Sequence, residues 1–196
     1  MHGDTGVSFA TALRSILRQD PDVVMIGEMR DSETAEIAVQ AAMTGHLVLS
    51  TLHTNDTLGA IPRLIDLGVP DYLVSATLEG VLAQRLVRRV CEQCAVLDDV
   101  DPALVAELTG CPAGKIQLRR GVGCRACRGT GFWGRLGIFE FLPVNDDVRG
   151  ATTRRAGRSE LREIAVDAGF VSMRLDGWAK IQRGITTIAE VLRVVR

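Results

Sequence analysis

The stretch from Val23 to Asp31 reads VVMIGEMRD, in which four apolar residues run directly into Gly27, Glu28 and a group of charges. A short and wholly apolar run of this kind predicts a central strand that is covered on both faces. The carboxylate at its end is either an ordinary surface residue or a group placed over a crevice, because ligands of open parallel sheets bind beyond the carboxyl ends of the strands. The neighbouring segments decide between these two interpretations.

The segments around this strand predict an α/β fold. Ser8 to Gln19 carries apolar residues at helical spacing, with Ser8 as the expected N-cap. Ser32 to Met43 is a second helical segment, which Gly45 closes. Another apolar strand follows at Leu47 to Leu52. Strand, helix and strand in this order form a right-handed βαβ unit with parallel strands.

Further along the chain the sequence changes character twice. From Cys91 to Pro143 it is rich in Gly, Cys and Arg and lacks helical periodicity. Near the C-terminus, Thr187 and Glu190 form a capping-box pattern that predicts the start of the last helix. Other helical patterns are expected at 56–66, 71–78, 81–90 and beyond residue 158. We therefore expect three domains, at 1–90, 91–143 and 144–196.

The composition indicates a globular protein of a reducing compartment. The 196 residues are 46% hydrophobic and carry a formal net charge of -1, which excludes a disordered tail and a strongly basic nucleic-acid binder. The N-terminal stretch lacks the regions of a signal peptide, and there is no run of about 18 apolar residues. We therefore expect a cytosolic protein in which the cysteines bind metal or remain free thiols.

Two of the three histidines flank the second predicted strand, in the stretch TGHLVLSTLHTN. His46 precedes the strand and His53 follows it, so the two rings are expected on the order of 20 Å apart and cannot share one metal. His53 is instead expected beside Glu28, at the same edge of the sheet. Together with the polar run Thr54-Asn55-Asp56, this grouping favours a phosphate site, in which the carboxylate would hold hydrated magnesium or orient a water molecule.

Four of the five cysteines form two C-x-x-C pairs. Cys91 with Cys94 and Cys124 with Cys127 are separated by 29 residues. Each pair can hold one ion from a tight turn, and four thiolates give a closed tetrahedral zinc site of the structural kind. Buried free thiols or redox pairs are the alternatives. Cys111 is expected to be a free thiol.

Several of these motifs together resemble one family. The stretch FATALRSILRQDPDVVMIGEMRDSETAEIAVQAAMTGHLVLSTLHTND, the segment GVLAQRLVRRVC, the later cysteines, GRLGIFE and GITTIAEVLRVV occur in one order between Gly6 and Arg196. They resemble the secretion ATPase superfamily, specifically the motors of type II secretion and type IV pilus assembly. The resemblance implies a RecA-like P-loop NTPase core, here partial, with a tetracysteine zinc-binding insertion and a C-terminal helical region. It also implies ATP and Mg²⁺, in addition to Zn²⁺.

The resemblance assigns roles to single residues of the nucleotide site. It implies that Glu28 is the Walker B acid, near the magnesium and the attacking water, and that Gly27 belongs to the family's Gly-Glu pattern. His53 would sense the γ-phosphate, whereas His46 would brace the loop. Arg30–Asp31 also matches the family, and for this dipeptide a structural ion pair is at least as good an interpretation.

One required motif is missing from the chain. No G-x-x-x-x-G-K-[ST] loop occurs, although a P-loop enzyme needs it to cradle the phosphates. By the resemblance, the chain is expected to be the C-terminal portion of such an ATPase, through a truncated gene, a misplaced start or a cloning boundary, and to be inactive alone. The alternative is a non-catalytic zinc-binding remnant.

The resemblance also implies partners and a location for the intact protein. It predicts a homo-hexamer that engages inner-membrane platform proteins of a secretion or pilus machine, without nucleic acid. Its location would be cytoplasmic and peripheral to the inner membrane.

Overall fold

The computed structural model describes residues 9–100, 105 and 118–195. Two compact units make up the chain: Met1–Val81 with Leu142–Phe170, and Leu82–Phe141 with Val171–Arg196. No helix in the described part of the chain combines the length and the apolar composition that a membrane crossing requires. In chain order the elements are α1 (Phe9–Leu17), β1 (Val23–Ile26), α2 (Ser32–Met43), β2 (Leu47–Ser50), α3 (Ala60–Asp66), α4 (Asp71–Thr77), β3 (Gly80–Val90), β4 (Ala95–Asp98), β5 (Leu118–Gly121), β6 (Phe132–Pro143), α5 (Asp146–Thr153), α6 (Arg158–Asp167), α7 (Met173–Gln182) and α8 (Ile188–Val194).

The first unit contains the predicted βαβ arrangement. Strands β1 and β2 pair in parallel, with Val23 opposite Leu47 and Ile26 opposite Ser50. Helix α2 connects them, and its N-cap is Asp31, whose carboxylate accepts the Thr34 N–H at 2.8 Å. The prediction of parallel strands joined by a helix is therefore confirmed, whereas the expected cap at Ser8 lies outside the described residues.

The cover of β1 differs from the prediction. Val24 and Ile26 are buried with residues of α1 and α2, but Val23 and Met25 are 54% and 74% exposed. On β2, Leu47 and Leu49 alternate in the same way with less exposed neighbours. The expectation of cover on both faces is thus wrong for the described residues, because α1 and α2 both pack on one side. An apolar run in the sequence does not distinguish a strand covered on both faces from one covered on a single face.

The larger core of the first unit joins helices that are far apart in sequence. Arg149 of α5 donates to the Ser75 carbonyl of α4 and, at 2.9 Å, to Glu79, while the Ser75 hydroxyl donates to the Arg149 carbonyl at 3.1 Å. Residues 142–170 therefore lie with the first 81 residues. The three domains expected from the sequence, at 1–90, 91–143 and 144–196, stay a prediction. The buried members of this core are Ala35, Val39, Leu58, Ile61, Leu64, Leu67, Val69, Val74, Leu142, Val144, Val148, Ala151, Leu161 and Ala165.

Two of the predicted helices differ in the structure: one begins later than expected, and the other is a strand. The helix expected over 56–66 begins at Ala60, because the Asp56 carboxylate accepts the Gly59 N–H at 2.9 Å and holds a turn before it. The prediction of a helix over 81–90 is wrong, because this segment is part of strand β3, which pairs with β6. Its Leu, Ala, Gln and Arg residues favour helices, but pairing with another strand outweighs that preference.

The second unit has its own core, formed beneath β3 and β6 by helices α7 and α8. Val87 and Ile138 are fully buried, and Trp178 of α7 packs in the same cluster. The other buried members are Val105, Leu118, Met173, Ile181 and Val191.

A buried carboxylate connects α8 to β3. Glu190, whose side chain is 3% exposed, accepts the Arg88 backbone N–H at 3.0 Å and the Arg88 guanidinium at 2.6 Å. Arg193 adds contacts at 3.0 and 3.2 Å. Thr187 caps the Glu190 N–H at 3.3 Å, so the predicted cap is present while the carboxylate serves Arg88. Hydrogen bonding from Arg88 chiefly, and from Arg193, lowers the pKa of Glu190 to about 2.

We predict that Glu190→Gln lowers the free energy of unfolding by about 2 to 3 kcal/mol at neutral pH, because Arg88 loses its charged partner. The folded-state pKa lies below the ordinary 4.5, so the carboxylate stabilises the fold above that pH. The difference between the two proteins should shrink as the pH falls from 4.5 toward 2. Urea unfolding at several pH values measures it. Glu92→Gln, at an exposed partner of Arg89, is the control, and equal stability of Glu190→Gln and wild type at pH 7 would contradict the prediction.

Candidate functional site

Glu28 and His53 meet beyond the carboxyl ends of β1 and β2. The register that pairs Ile26 with Ser50 makes both loops leave the sheet at the same edge. There the His53 Nε2 atom contacts the Glu28 Oε1 atom, and the contact is an ion pair when the imidazole is protonated. The structure thus brings together the two side chains that the sequence placed at one crevice.

Two hydrogen bonds connect the loops that carry these side chains. The Thr51 hydroxyl donates to the Gly27 carbonyl at 2.6 Å, and the Met29 N–H donates to the Thr51 carbonyl at 3.1 Å. A Cβ atom at Gly27 would meet nothing within 4 Å, so packing does not require a glycine there.

The Glu28 carboxylate is largely buried and faces the side chains of Arg30 and His53. Its side chain is 21% exposed, and Arg30 Nε lies 2.6 Å from Oε2. The buried Oε1 contacts His53 and accepts no hydrogen bond from the described residues; the Ser50 hydroxyl, at the end of β2, is likewise buried without a described hydrogen-bond partner. If the His53 ring moved away, the Oε1 atom could accept a hydrogen bond from a water molecule. Sequence reasoning missed the pairing of Arg30 with Glu28, and Asp31 is the N-cap of α2.

A cavity of about 480 Å³ opens beside His53. Its polar walls come from the loop after β2, from α3 and from the start of α6. The residues that line it are His53, Thr54, Asn55, Asp56, Gly59, Pro62, Arg63, Asp66 and Arg158. The size and polarity of this cavity suit a charged ligand.

His46 lies away from this edge, at the end of α2. Its Nδ1 atom is 3.0 Å from the Ala41 carbonyl and 3.0 Å from the Thr44 hydroxyl. Because a carbonyl only accepts, Nδ1 carries the hydrogen. The ring therefore satisfies a carbonyl at the end of the helix, and it joins α2 to the beginning of β2.

The four predicted cysteines form one cluster in the second unit. Cys91 follows β3, Cys94 ends a short 3₁₀ turn, and Cys124 and Cys127 occupy the turn before β6. Their sulfur atoms all lie within 4.8 Å of one another. The separations are 3.9 Å for Cys91–Cys124 and Cys94–Cys127, and 3.8 Å for Cys124–Cys127. A tetrahedral zinc ion at about 2.3 Å from each sulfur requires sulfurs about 3.8 Å apart, so these residues fit zinc.

Backbone groups tune the thiols of this cluster. The N–H of Cys124 donates to the Cys127 sulfur at 3.1 Å and the N–H of Gly131 does so at 3.3 Å. The first of these contacts chiefly, with the second, lowers the pKa of Cys127 to about 6, whereas burial raises the pKa of Cys94 to about 11. A bound divalent cation would favour the thiolate form of all four. Cys111 lies outside the described residues.

Two glycines allow the cysteine-bearing turns to approach. A Cβ atom at Gly121 would lie 2.0 Å from the Gly131 carbonyl oxygen, and Gly131 itself has φ +75°. Hydrogen bonds hold this approach: Cys91 N–H donates to the Gly131 carbonyl at 2.9 Å, and Val122 N–H to the Cys94 carbonyl at 3.1 Å. From sequence, the glycine density indicated only the absence of a helix.

The sequence profile of one protein family, described as "Type II/IV secretion system protein", matches residues 1–193. The chain belongs to this family. A type IV pilus assembly ATPase PilB of Thermus thermophilus is 52% identical over 190 residues, covering 95% of this chain and 21% of the relative. A type II secretion system protein E of Pectobacterium carotovorum is also 52% identical over 190 residues, covering 97% of this chain and 38% of the relative. The chain therefore spans well under half the length of these family members.

Solved structures of related ATPases share the fold. The pilus retraction motor PilT with bound ADP aligns with a TM-score of 0.65 and 27% identity, over 95% of this chain and 43% of that chain. The ATPase DotB of Yersinia pseudotuberculosis aligns with a TM-score of 0.63 and 24% identity, over 95% of this chain and 40% of that chain. The predicted fold class, a partial RecA-like α/β core with a four-cysteine cluster, is confirmed.

We predict that Gly121→Ala lowers the free energy of unfolding by about 3 kcal/mol, because the new methyl group would overlap the backbone of Gly131 and force it to shift. Chemical denaturation measures the loss. Gly27→Ala is the matched control, since a Cβ atom there meets nothing within 4 Å. Equal stability of the two variants would show that the approach of Gly121 to Gly131 is not a constraint.

Proposed function

We propose that this chain is the C-terminal part of a hexameric ATPase that powers type II protein secretion or type IV pilus assembly. The observation that carries the proposal is the contact between Glu28 and His53 beyond two parallel strands. Membership of a family whose relatives are named as secretion proteins and pilus assembly ATPases supports it. The intact protein would act at the cytoplasmic face of the inner membrane with platform proteins.

In this proposal Glu28 is the acid that positions water. Arg30 holds its Oε2 atom at 2.6 Å, which leaves Oε1 to accept a hydrogen bond from the attacking water or from a water on magnesium. Magnesium, when bound, would offset the negative charge of the phosphates. Gly27 would keep the approach to the carboxylate open.

The neighbouring histidines would have different roles. His53 is 80% exposed, so its ring can turn from Glu28 and donate its Nε2 hydrogen to a phosphate oxygen. Such a turn would make the Glu28 carboxylate free to accept from water when a phosphate is present. His46, hydrogen-bonded at the end of α2, would brace the strand that presents His53.

The phosphate cradle must come from outside these 196 residues. The sequence contains no G-x-x-x-x-G-K-[ST] loop. In P-loop enzymes, the backbone N–H groups and the lysine of that loop are the main stabilising contacts to a transferring phosphoryl group. This observation favours the second candidate, a non-catalytic zinc-binding interaction module, for the chain by itself.

A chimera tests the catalytic proposal. In a chimeric type IV pilus assembly ATPase whose matched segment is replaced by this chain, we expect ATP hydrolysis that Glu28→Gln reduces by about 10²-fold or more in kcat, because the water is no longer positioned. Steady-state kinetics measures the change, and ATP binding shows that the variant is folded. Glu33→Gln, at an exposed residue of α2, is the matched control.

The same assay separates the two candidates. The 196-residue chain alone should show neither turnover nor micromolar ATP affinity by calorimetry, because it lacks the cradle. A folded chimera that binds ATP but is equally active with Glu28 or Gln would contradict the assigned role of Glu28. A folded chimera without any hydrolysis would favour the interaction module.

We also propose that the cysteine cluster holds a structural zinc ion. The fit of its sulfur separations to tetrahedral coordination supports this, and closed four-sulfur sites stabilise folds rather than catalyse reactions. The cluster would join the end of β3 to the turn before β6.

We expect purified protein to contain about one zinc ion per chain, and Cys127→Ser to lose most of it. Elemental analysis measures the metal. Removal by a chelator should lower the melting temperature, because metal binding contributes to folding. Cys111→Ser is the control and should retain zinc. Metal-free protein with unchanged melting temperature would contradict the proposal.

A further inference from the structure

The loop that carries His53 is held at both of its ends. Before the histidine, Thr51 exchanges hydrogen bonds with the loop of Glu28 at 2.6 and 3.1 Å. After it, Thr57 and Leu58 are 0% and 4% exposed. Between these anchors the backbone around His53 runs at the surface, where the ring is 80% exposed.

Asp56 connects this surface segment to another part of the chain. One carboxylate oxygen accepts the Gly59 N–H at 2.9 Å, and the other pairs with the guanidinium of Arg158, 102 positions later in the sequence. Arg158 is the first residue of α6. Because Asp56 binds its own turn and α6 at once, the direction in which the loop leaves β2 is tied to that helix.

We infer that Arg158 is a positioning residue for His53. By holding Asp56, it keeps the segment 53–56 in the conformation that brings the imidazole to Glu28. A role of Arg158 in catalysis rests on the proposed function, whereas its contact with Asp56 does not depend on that proposal. Arg158 also lines the cavity beside His53, so a ligand in that cavity would meet both side chains.

An ordinary surface ion pair is the competing explanation. The Arg158 and Asp56 side chains are 62% and 31% exposed, and exposed pairs contribute little to global stability. A positioning role predicts a local effect on the loop with an unchanged melting temperature. A purely structural role predicts one of two other results. Either nothing changes, or the whole fold loses stability and the change is not confined to residues 53–56.

The chain offers a matched control at the same corner. Arg155, between α5 and α6, pairs with Asp71 at 2.8 Å, and their side chains are 68% and 23% exposed. Arg155→Gln removes the same charge from a pair of similar exposure. Its partner, Asp71, belongs to α4 and not to the segment 53–56.

The test is backbone relaxation measured by NMR on the full 196-residue chain. We expect order parameters S² for residues 53–56 of about 0.85 in the wild type and below about 0.6 in Arg158→Gln, with the His53 ring signals shifted away from their wild-type positions. Asp56→Asn should give the same changes. Arg158→Lys should restore part of the order, and Arg155→Gln should leave these residues unchanged.

Two results would overturn the inference: unchanged order and ring signals in Arg158→Gln, or equal changes in Arg155→Gln. Since no nucleotide is present, this outcome is separate from that of the chimera. In a third outcome, the loop loosens in Arg158→Gln while the chimera is inactive, or is equally active with Glu28 or Gln. That combination would reject the proposed function and retain the positioning contact.

Discussion

The parallel pairing of β1 with β2 is the constraint on which the candidate site depends. Its register sets Ile26 beside Ser50, and the two following loops must then leave at the same edge. A slip of one residue would turn every side chain of a strand to the other face. Val24 and Ile26, buried against α1 and α2, fix that register. The contact between Glu28 and His53 is a consequence of this packing.

Charge then determines how the edge is organised. The Glu28 carboxylate lies between Arg30 and His53, and a largely buried carboxylate is stable only with such partners. Asp56 and Arg158 form a second pair a few residues away. In each pair the arginine or histidine is the more exposed partner: Arg30 is 74%, His53 80% and Arg158 62% exposed.

The second unit depends on contacts of a different kind. There, glycine backbones approach closely enough to bring four sulfur atoms within 4.8 Å, and Glu190 draws Arg88 of β3 to α8. The approach of Gly121 to Gly131 leaves no room for a side chain, so the cysteine spacing alone would not form the cluster. The motif supplies the sulfur atoms, and the glycines supply the geometry.

The sequence by itself determined the local features. Apolar runs and a helix between them specified the βαβ unit, and each C-x-x-C pair specified two sulfur atoms in one tight turn, because these patterns act over short distances in the chain. Only the tertiary structure decided what depends on distant partners. Residues 81–90 form a strand because β6 pairs with them, Glu190 binds Arg88 instead of completing its own cap, and Arg158 reaches Asp56 across 102 positions. Such partners are chosen by packing, which local propensity does not contain.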